Sequence, residues 1–300
     1  MKPVQFIVLL IIAVIGLNGC TTVIDAKLDT GPTQLSVDAL LTDQPGSQTI
    51  RLTQTAAYFD NSTPPAATSA TVAISDDKGN VYRFLDLTNT GYYVWNPTGK
   101  DTLGHTGRTY QLAITYQGET YQSRSKMNRV PPIDSLVFVK RKLNPLSKTE
   151  GYRAEFYAMD IPNQTDYYRI RFFRIGELQN KASNIITSQD GGFRTSTNVT
   201  DGLMFIAPIR RSINPDSLYA LKDNVTVEVH SLTAEAFTFW QLLRTQVTNG
   251  GLFATPPANV PTNVINTNSA GRPATGFFIT SAVSTRTATV SDATVRVRED

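Results

Sequence analysis

From residue 35 onward the chain alternates apolar and polar positions in short runs. Leu35, Val37, Ala39 and Leu41 alternate with Ser36, Asp38 and Leu40, mostly polar, the pattern of a half-buried strand. Asp43-Gln44-Pro45-Gly46 supplies a turn, and Thr49 to Thr53 alternates again. Tyr58 to Thr68 contains Pro64-Pro65 and reads as loop. Ala70, Val72 and Ile74 form the next face, Asp76 to Asn80 turns, and Val81 to Leu85 returns. Tyr92 to Trp95 is a further short strand. Tyr110, Leu112, Ile114 and Tyr116 share a face, Gln117-Gly118 turns, and Tyr121 leads the partner strand. About six or seven short strands with Gly and Asn turns between them predict an antiparallel β-sandwich over residues 34–129, immunoglobulin-like or transthyretin-like.

Val130-Pro131-Pro132 marks a boundary, because consecutive prolines interrupt helix and ladder alike. Residues 130–300 are expected to form a second sandwich-like, β-rich domain. Its predicted strands lie at Ile133 to Lys140, Tyr152 to Ala158, Tyr167 to Arg174, Leu218 to Leu221 and Val225 to Val229. Residues 176–201 are mostly polar and read as a long loop with poorly defined strands. The rhythm then changes. Ala236, Trp240, Leu243 and Val247 recur at helical spacing, widened by Phe237 and Phe239, which predicts one amphipathic helix near 233–248. Ser231 or Thr233 can cap it, Glu235 suits the first turn, and Asn249-Gly250-Gly251 is expected to end it at a positive φ. Strands near Gly276 to Thr280, Thr287 to Val290 and Thr294 to Arg298 close the chain.

The first twenty residues follow another logic. Lys2 precedes an apolar run from Val4 to Leu17, then Leu17-Asn18-Gly19-Cys20. A run of about 14 apolar residues is short for a membrane span and suits a signal peptide over residues 1–19. The small residue before the single cysteine of the chain is similar to the lipobox of bacterial lipoproteins, although Asn18 stands where a small residue is commoner. That similarity implies lipidation at Cys20 and a tether over residues 20–33, with Gly31-Pro32 in it.

Composition narrows the chemistry. The formal charge is +3, or +2 once Lys2 is removed, and charged residues are 18% of the chain. Neither sign dominates, so nucleic acid is not an expected partner. With Cys20 acylated no thiol remains for a disulfide, a thiolate metal site or a nucleophile. The two histidines, His105 and His230, have few plausible partners for a triad or a zinc site. Asp76 to Asn80 lacks calcium-loop spacing and reads as a hairpin turn. Asp160, Asp166 and Glu155 are the acids that a glycoside-cleaving pair would need, but nothing in the pattern brings them together. Gly250-Gly251 follows a helix rather than a strand, the wrong order for a phosphate loop. The expectation is therefore no catalytic residue, no metal and no cofactor. Tyr92, Tyr93 and Trp95 are the candidate ligand contacts, since sugars stack on aromatic faces. Strand geometry sends Tyr92 and Val94 one way and Tyr93 and Trp95 the other, so one pair belongs to a core.

Several segments in order extend the comparison: Leu35 to Asp43, Leu52 to Tyr58, Ala70 to Asp77, Gly107 to Leu112, and Pro131 to Leu136. Gly250 to Val260 and Ala274 to Phe278 complete the series. Together they resemble a Bacteroidota lipoprotein family known as domain of unknown function 4249, over nearly the whole mature chain. The resemblance implies an envelope lipoprotein, often encoded beside TonB-dependent receptors that import glycans and other nutrients. It carries no established site residues. The phylum's O-glycosylation pattern is matched at Asp101-Thr102-Leu103, Asp134-Ser135-Leu136 and Asp216-Ser217-Leu218, which makes Thr102, Ser135 and Ser217 candidate acceptors. Thr21 to Asp25 has one acid rather than an acidic export signal, leaving both faces of the outer membrane open. The expected function is a non-enzymatic, lipid-anchored outer-membrane protein. It would be an accessory or ligand-binding component of TonB-dependent uptake, meeting the receptor, the membrane and a glycan or peptide ligand. The alternative is a structural or adhesive surface lipoprotein without a transport partner.

Overall fold

In Leu35–Thr42 (β1) the residues Leu35, Val37, Ala39 and Leu41 are buried and those between them are not. Successive side chains of a strand point to opposite faces, so the alternation commits one face to a core. Gln48–Gln54 (β2) returns antiparallel beside it, placing Leu52 opposite Val37 and Ile50 opposite Ala39. The computed structural model describes residues 31–57, 60, 62–99, 102–192, 200–250 and 259–296. The expected signal peptide, Cys20 and the tether as far as residue 30 lie outside the described residues, as do Asp101 and Gly251.

The predicted hairpins continue as Thr71–Asp76 (β3), Val81–Phe84 (β4), Tyr92–Trp95 (β5), Thr109–Tyr116 (β6) and Glu119–Lys126 (β7). They divide between two sheets. One has β1, β2 and β5 as neighbours; the other has the order β7-β6-β3-β4. Val37, Leu52, Ile74, Leu112 and Ile114 from both sheets share one buried cluster, which makes a sandwich. The second half supplies Ile133–Lys142 (β8), Glu150–Ala158 (β9), Tyr167–Arg174 (β10), Glu177–Leu178 (β11) and Ile186–Gln189 (β12). The short helix Ala207–Arg210 (α1) follows, then Asn224–Leu232 (β13) and the long helix Ala234–Thr248 (α2). Ile265–Asn266 (β14), Ala274–Ser281 (β15), Val283–Thr289 (β16) and Val295–Arg296 (β17) complete the described chain. Sheets β17-β8-β9 and β11-β10-β13-β16 enclose a second core of Phe138, Phe156, Ile170, Phe172 and Val227. The fold is mainly β, with 46% strand and 9% helix among the described residues.

Two strands from the far end of the sequence belong to the first sandwich. β14 pairs with β7, and β15 lies parallel to β1 with Val37 beside Gly276. Parallel neighbours need a long crossover, and this one passes through the second sandwich. β15 is covered on both faces. Phe278 enters the first core, while Phe277 and Ile279 pack with Phe237 and Ala236 of α2. A doubly covered strand reads as a continuous apolar run, which explains Phe277-Phe278-Ile279 in the sequence. Gly276 is required in that run: its φ is +89°, and a Cβ there would stand 2.0 Å from the Val37 carbonyl oxygen.

Ala282 alone separates β15 from β16, so the chain steps between sandwiches at one residue. Buried hydroxyls join the seam. Ser231 Oγ donates to the Asn128 carbonyl at 2.8 Å and accepts from Ala282 N at 2.9 Å. Ser281 Oγ donates to the Ser231 carbonyl at 2.6 Å, and Thr280 N donates to Ser125 Oγ at 3.1 Å. Each donor thereby finds the partner that burial demands.

Two local expectations change. Residues 176–201 carry β11 and β12, and Ser188 is fully buried with its hydroxyl 2.6 Å from the Gly192 carbonyl. A polar residue satisfied by main chain hides a strand from any hydropathy pattern. α2 begins as predicted, with Thr233 Oγ1 accepting from Ala236 N at 3.2 Å, but it does not end at a left-handed residue. Asn249 is extended (φ −73°, ψ 111°), and its N–H donates to the Gln246 carbonyl in a tightened last turn.

Candidate functional site

The aromatic strand β5 divides its side chains as alternation requires. Tyr93 is 1% exposed and belongs to the first core; its hydroxyl accepts from Ala70 N at 2.9 Å and donates to the Ala67 carbonyl at 2.8 Å. Trp95, on the same face, packs at the edge of that core and meets Tyr82 edge to face at 5.7 Å. It also lines an open depression with Thr102, His105 and Arg108. Tyr92 points outward, 46% exposed, with the Arg51 guanidinium 5.4 Å from its ring centroid. The three candidate aromatics thus reach different surroundings. Of the other candidate positions, Thr102 and Ser135 are half-buried and Ser217 is exposed. The Ser217 hydroxyl accepts from Arg174 at 2.8 Å, and the neighbouring Asp216 pairs with Lys181.

The acids singled out by the sequence have partners of their own. Glu155 lies between Arg210 and Arg211, at 3.2 and 3.1 Å, and ties α1 to β9. Asp166 pairs with Arg129 at 2.7 Å. Asp160 accepts from the Tyr168 hydroxyl at 2.6 Å and from Gly202 N at 3.0 Å. Burial pushes the Asp160 carboxyl up, against the pull of those two hydrogen bonds. Asp76 binds its own turn through Lys78 N and Asn80 N, at 3.0 and 2.9 Å, and pairs with Arg108 at 2.7 Å. The expected hairpin turn is what these atoms build. Among the described residues no group of three or more His, Cys, Asp or Glu is arranged to hold a metal ion.

Where α2 crosses the junction of the two sandwiches it roofs a cavity of about 400 Å³. The floor is β1 and β15, lined by Asp38, Leu40, Gly276 and Phe277. Phe239, Trp240 and Leu243 descend from the helix, and Arg169, Arg171 and Leu178 come from β10 and β11. The alternation that sends Tyr168, Ile170 and Phe172 into the second core sends Arg169 and Arg171 to this side.

The cavity's electrostatics are uneven. The Arg169 guanidinium stacks on Trp240, 3.4 Å from the ring centroid, but makes no hydrogen bond or ion pair with any described residue. Burial, and then the like charge of Arg171, brings its pKa down to about 9, with Asp38 opposing. Arg171 has one long ion pair, 3.7 Å to Glu228. Glu228 is 2.8 Å from His230 Nε2 across the same face of β13. His230 is buried, and burial lowers its pKa, opposed by the Glu228 hydrogen bond and assisted by the Arg171 and Arg169 guanidiniums. Arg169 Nε, Arg171 Nε and Trp240 Nε1 are buried without acceptors. Such an arrangement can receive an acceptor group.

In the sequence Trp240 is one position of the helix's apolar stripe, and Arg169 and Arg171, alternating along a strand, look like a solvent face. One signal was present: two arginines interleaved with Tyr168, Ile170 and Phe172 on a strand followed by a helix with an aromatic stripe.

No curated protein matches the chain. The family described as domain of unknown function (DUF4249) matches residues 21–287, which includes every strand of the cavity floor and the helix above it. The chain belongs to that family.

Proposed function

We propose that this protein is a non-enzymatic outer-membrane lipoprotein, held to the leaflet through acylated Cys20, that serves TonB-dependent nutrient uptake as a ligand-binding or accessory subunit. The observation that carries the binding half is the cavity under α2, where the Arg169 guanidinium has no carboxylate partner among the described residues, while Arg108, Arg129 and Arg174 each have one. The anchoring half rests on Leu17-Asn18-Gly19-Cys20 ahead of a folded β-rich chain. A diacylated cysteine gives the two-chain attachment that stable anchoring needs. Acyl chains then fix position, the tether gives reach, and the sandwich presents the cavity to cargo or receptor.

The test is an affinity pull-down from detergent-solubilised outer membranes, comparing the wild type with Cys20→Ala. A TonB-dependent receptor recovered with the wild type and lost with the variant supports the reading. Repeated recovery of the wild type from that membrane with no receptor overturns it in favour of an adhesive or structural surface protein.

A further inference from the structure

The reading above leaves the cargo undefined, and the cavity under α2 narrows it. Four other semi-buried arginines of this chain are matched by carboxylates. Arg108 meets Asp76, Arg129 meets Asp166 and Arg174 meets Asp223, each at 2.7 Å, and Arg210 meets Glu155 at 3.2 Å. Arg169 has no such partner among the described residues, and its Nε is buried without an acceptor. It lines an open cavity, faces a like charge in Arg171, and has only the exposed Asp38 as a counter-charge within electrostatic reach. A guanidinium taken from water without an acceptor is costly, and its stack on Trp240 returns only part of that cost. Carboxylates satisfy such a group best, through two parallel N–H donations.

The remainder of the wall sets the ligand's body. Phe239, Leu243, Phe277 and Ile279 are apolar, and about 400 Å³ lies within the range of small-molecule sites. Charge sets its valence. Arg171 already shares Glu228 with His230, so one unmatched positive charge remains beside Asp38, which disfavours a dianion.

We propose that the cavity binds a small monocarboxylate with an apolar body: the carboxylate lies against the Arg169 guanidinium at the Trp240 edge, and the body lies along Phe239, Leu243 and Ile279. This rests on the reading of the chain as a binding subunit and gives that subunit its ligand class.

The chain has two tryptophans, so Trp95→Phe leaves Trp240 as the sole indole reporter in the full-length protein. In lipid nanodiscs this variant is titrated with 3-phenylpropionate and, separately, with 3-phenylpropanamide, which keeps the body and removes the charge. The expected result is a saturable change in Trp240 emission with the acid, at least ten-fold weaker binding of the amide, and at least ten-fold weaker binding of the acid after Arg169→Gln. Equal binding of acid and amide overturns the proposal, as does no saturable response to the acid. Undiminished binding by a folded Arg169→Gln protein overturns it too. Should that variant fail to fold, the acid–amide comparison in the Trp95→Phe protein still decides. Receptor recovery is read in a different assay, so a failed pull-down and a failed titration are told apart.

Discussion

Single residues in this protein are fixed either by charge or by space. Asp76 is the charged case. Burial raises its carboxyl, but hydrogen bonds from the Asn80 side chain and main chain, Lys78 N and Arg108 outweigh it and hold the pKa at about 2 against an ordinary 3.8. A carboxyl depressed on folding stabilises the fold at pH above its unfolded pKa, and that contribution disappears as pH falls through the folded one. Asp76→Asn should therefore cost roughly 1.5–3 kcal/mol at pH 6, the usual worth of hydrogen bonds to a charged group. Urea unfolding at a series of pH values should show the gap closing from about pH 4 down to pH 2; a gap unchanged at pH 2 would place the cost elsewhere. Gly276 is the spatial case. Gly276→Ala meets both a left-handed φ of +89° and the Val37 carbonyl at 2.0 Å. The strain and overpacking terms together come to about 2–5 kcal/mol, readable as a lowered urea midpoint. The Asp76 turn was visible in the sequence as Asp-Asp-Lys-Gly-Asn. The demand on Gly276 was not, because Val37 lies over 200 residues away and only the parallel register brings it near.

At the scale of elements, local patterns were readable where one face meets a core and the other meets water. β1, β6 and β10 alternate in sequence as they do in burial. The start of α2 was equally plain, and Thr233→Ala should cost about 1 kcal/mol in urea unfolding while Thr233→Ser keeps the cap and most of the stability. An equal loss with serine would mean that the threonine methyl, not the hydroxyl, matters. The helix's apolar stripe promised more burial than it delivers: Ala236 and Phe237 are buried, whereas Val247 is 51% exposed. Periodicity reports which positions share a face and says nothing of how far the underlying sheet extends. The same blindness concealed the cavity. Arg169 and Arg171 occupy the polar phase of β10, and the helix that covers that face comes 60 residues later in the chain. β12 was obscured for a different reason, since Ser188 and Gln189 are buried polar residues.

Across the whole molecule, the decisive feature is the return of the chain to its beginning. The tandem division at Val130-Pro131-Pro132 anticipates where the first run of strands stops, yet β15, from the last thirty or so residues, sits beside β1. Long-range pairing of this kind leaves no local mark, because the hydropathy of Phe277-Phe278-Ile279 fits any doubly covered strand. Its energetic consequence is coupling. Phe278 fills the first core, Phe277 and Ile279 seat α2, and the hydroxyls of Ser231 and Ser281 join β13 to the step into β16. Loss of β15 therefore removes contacts from both sandwiches at once. Unfolding should accordingly be a single transition rather than two. Trp95 reports on the first sandwich and Trp240, stacked on Arg169 of β10, on the helix at the junction, so variants retaining one tryptophan each can follow the first sandwich and the junction separately. Their urea midpoints should coincide, and Phe278→Ala, a cavity-forming truncation worth about 3–5 kcal/mol, should lower both together. Two separated midpoints, or a shift confined to the Trp95 signal, would mean that the sandwiches fold independently and that the β1–β15 ladder is only an attachment between them.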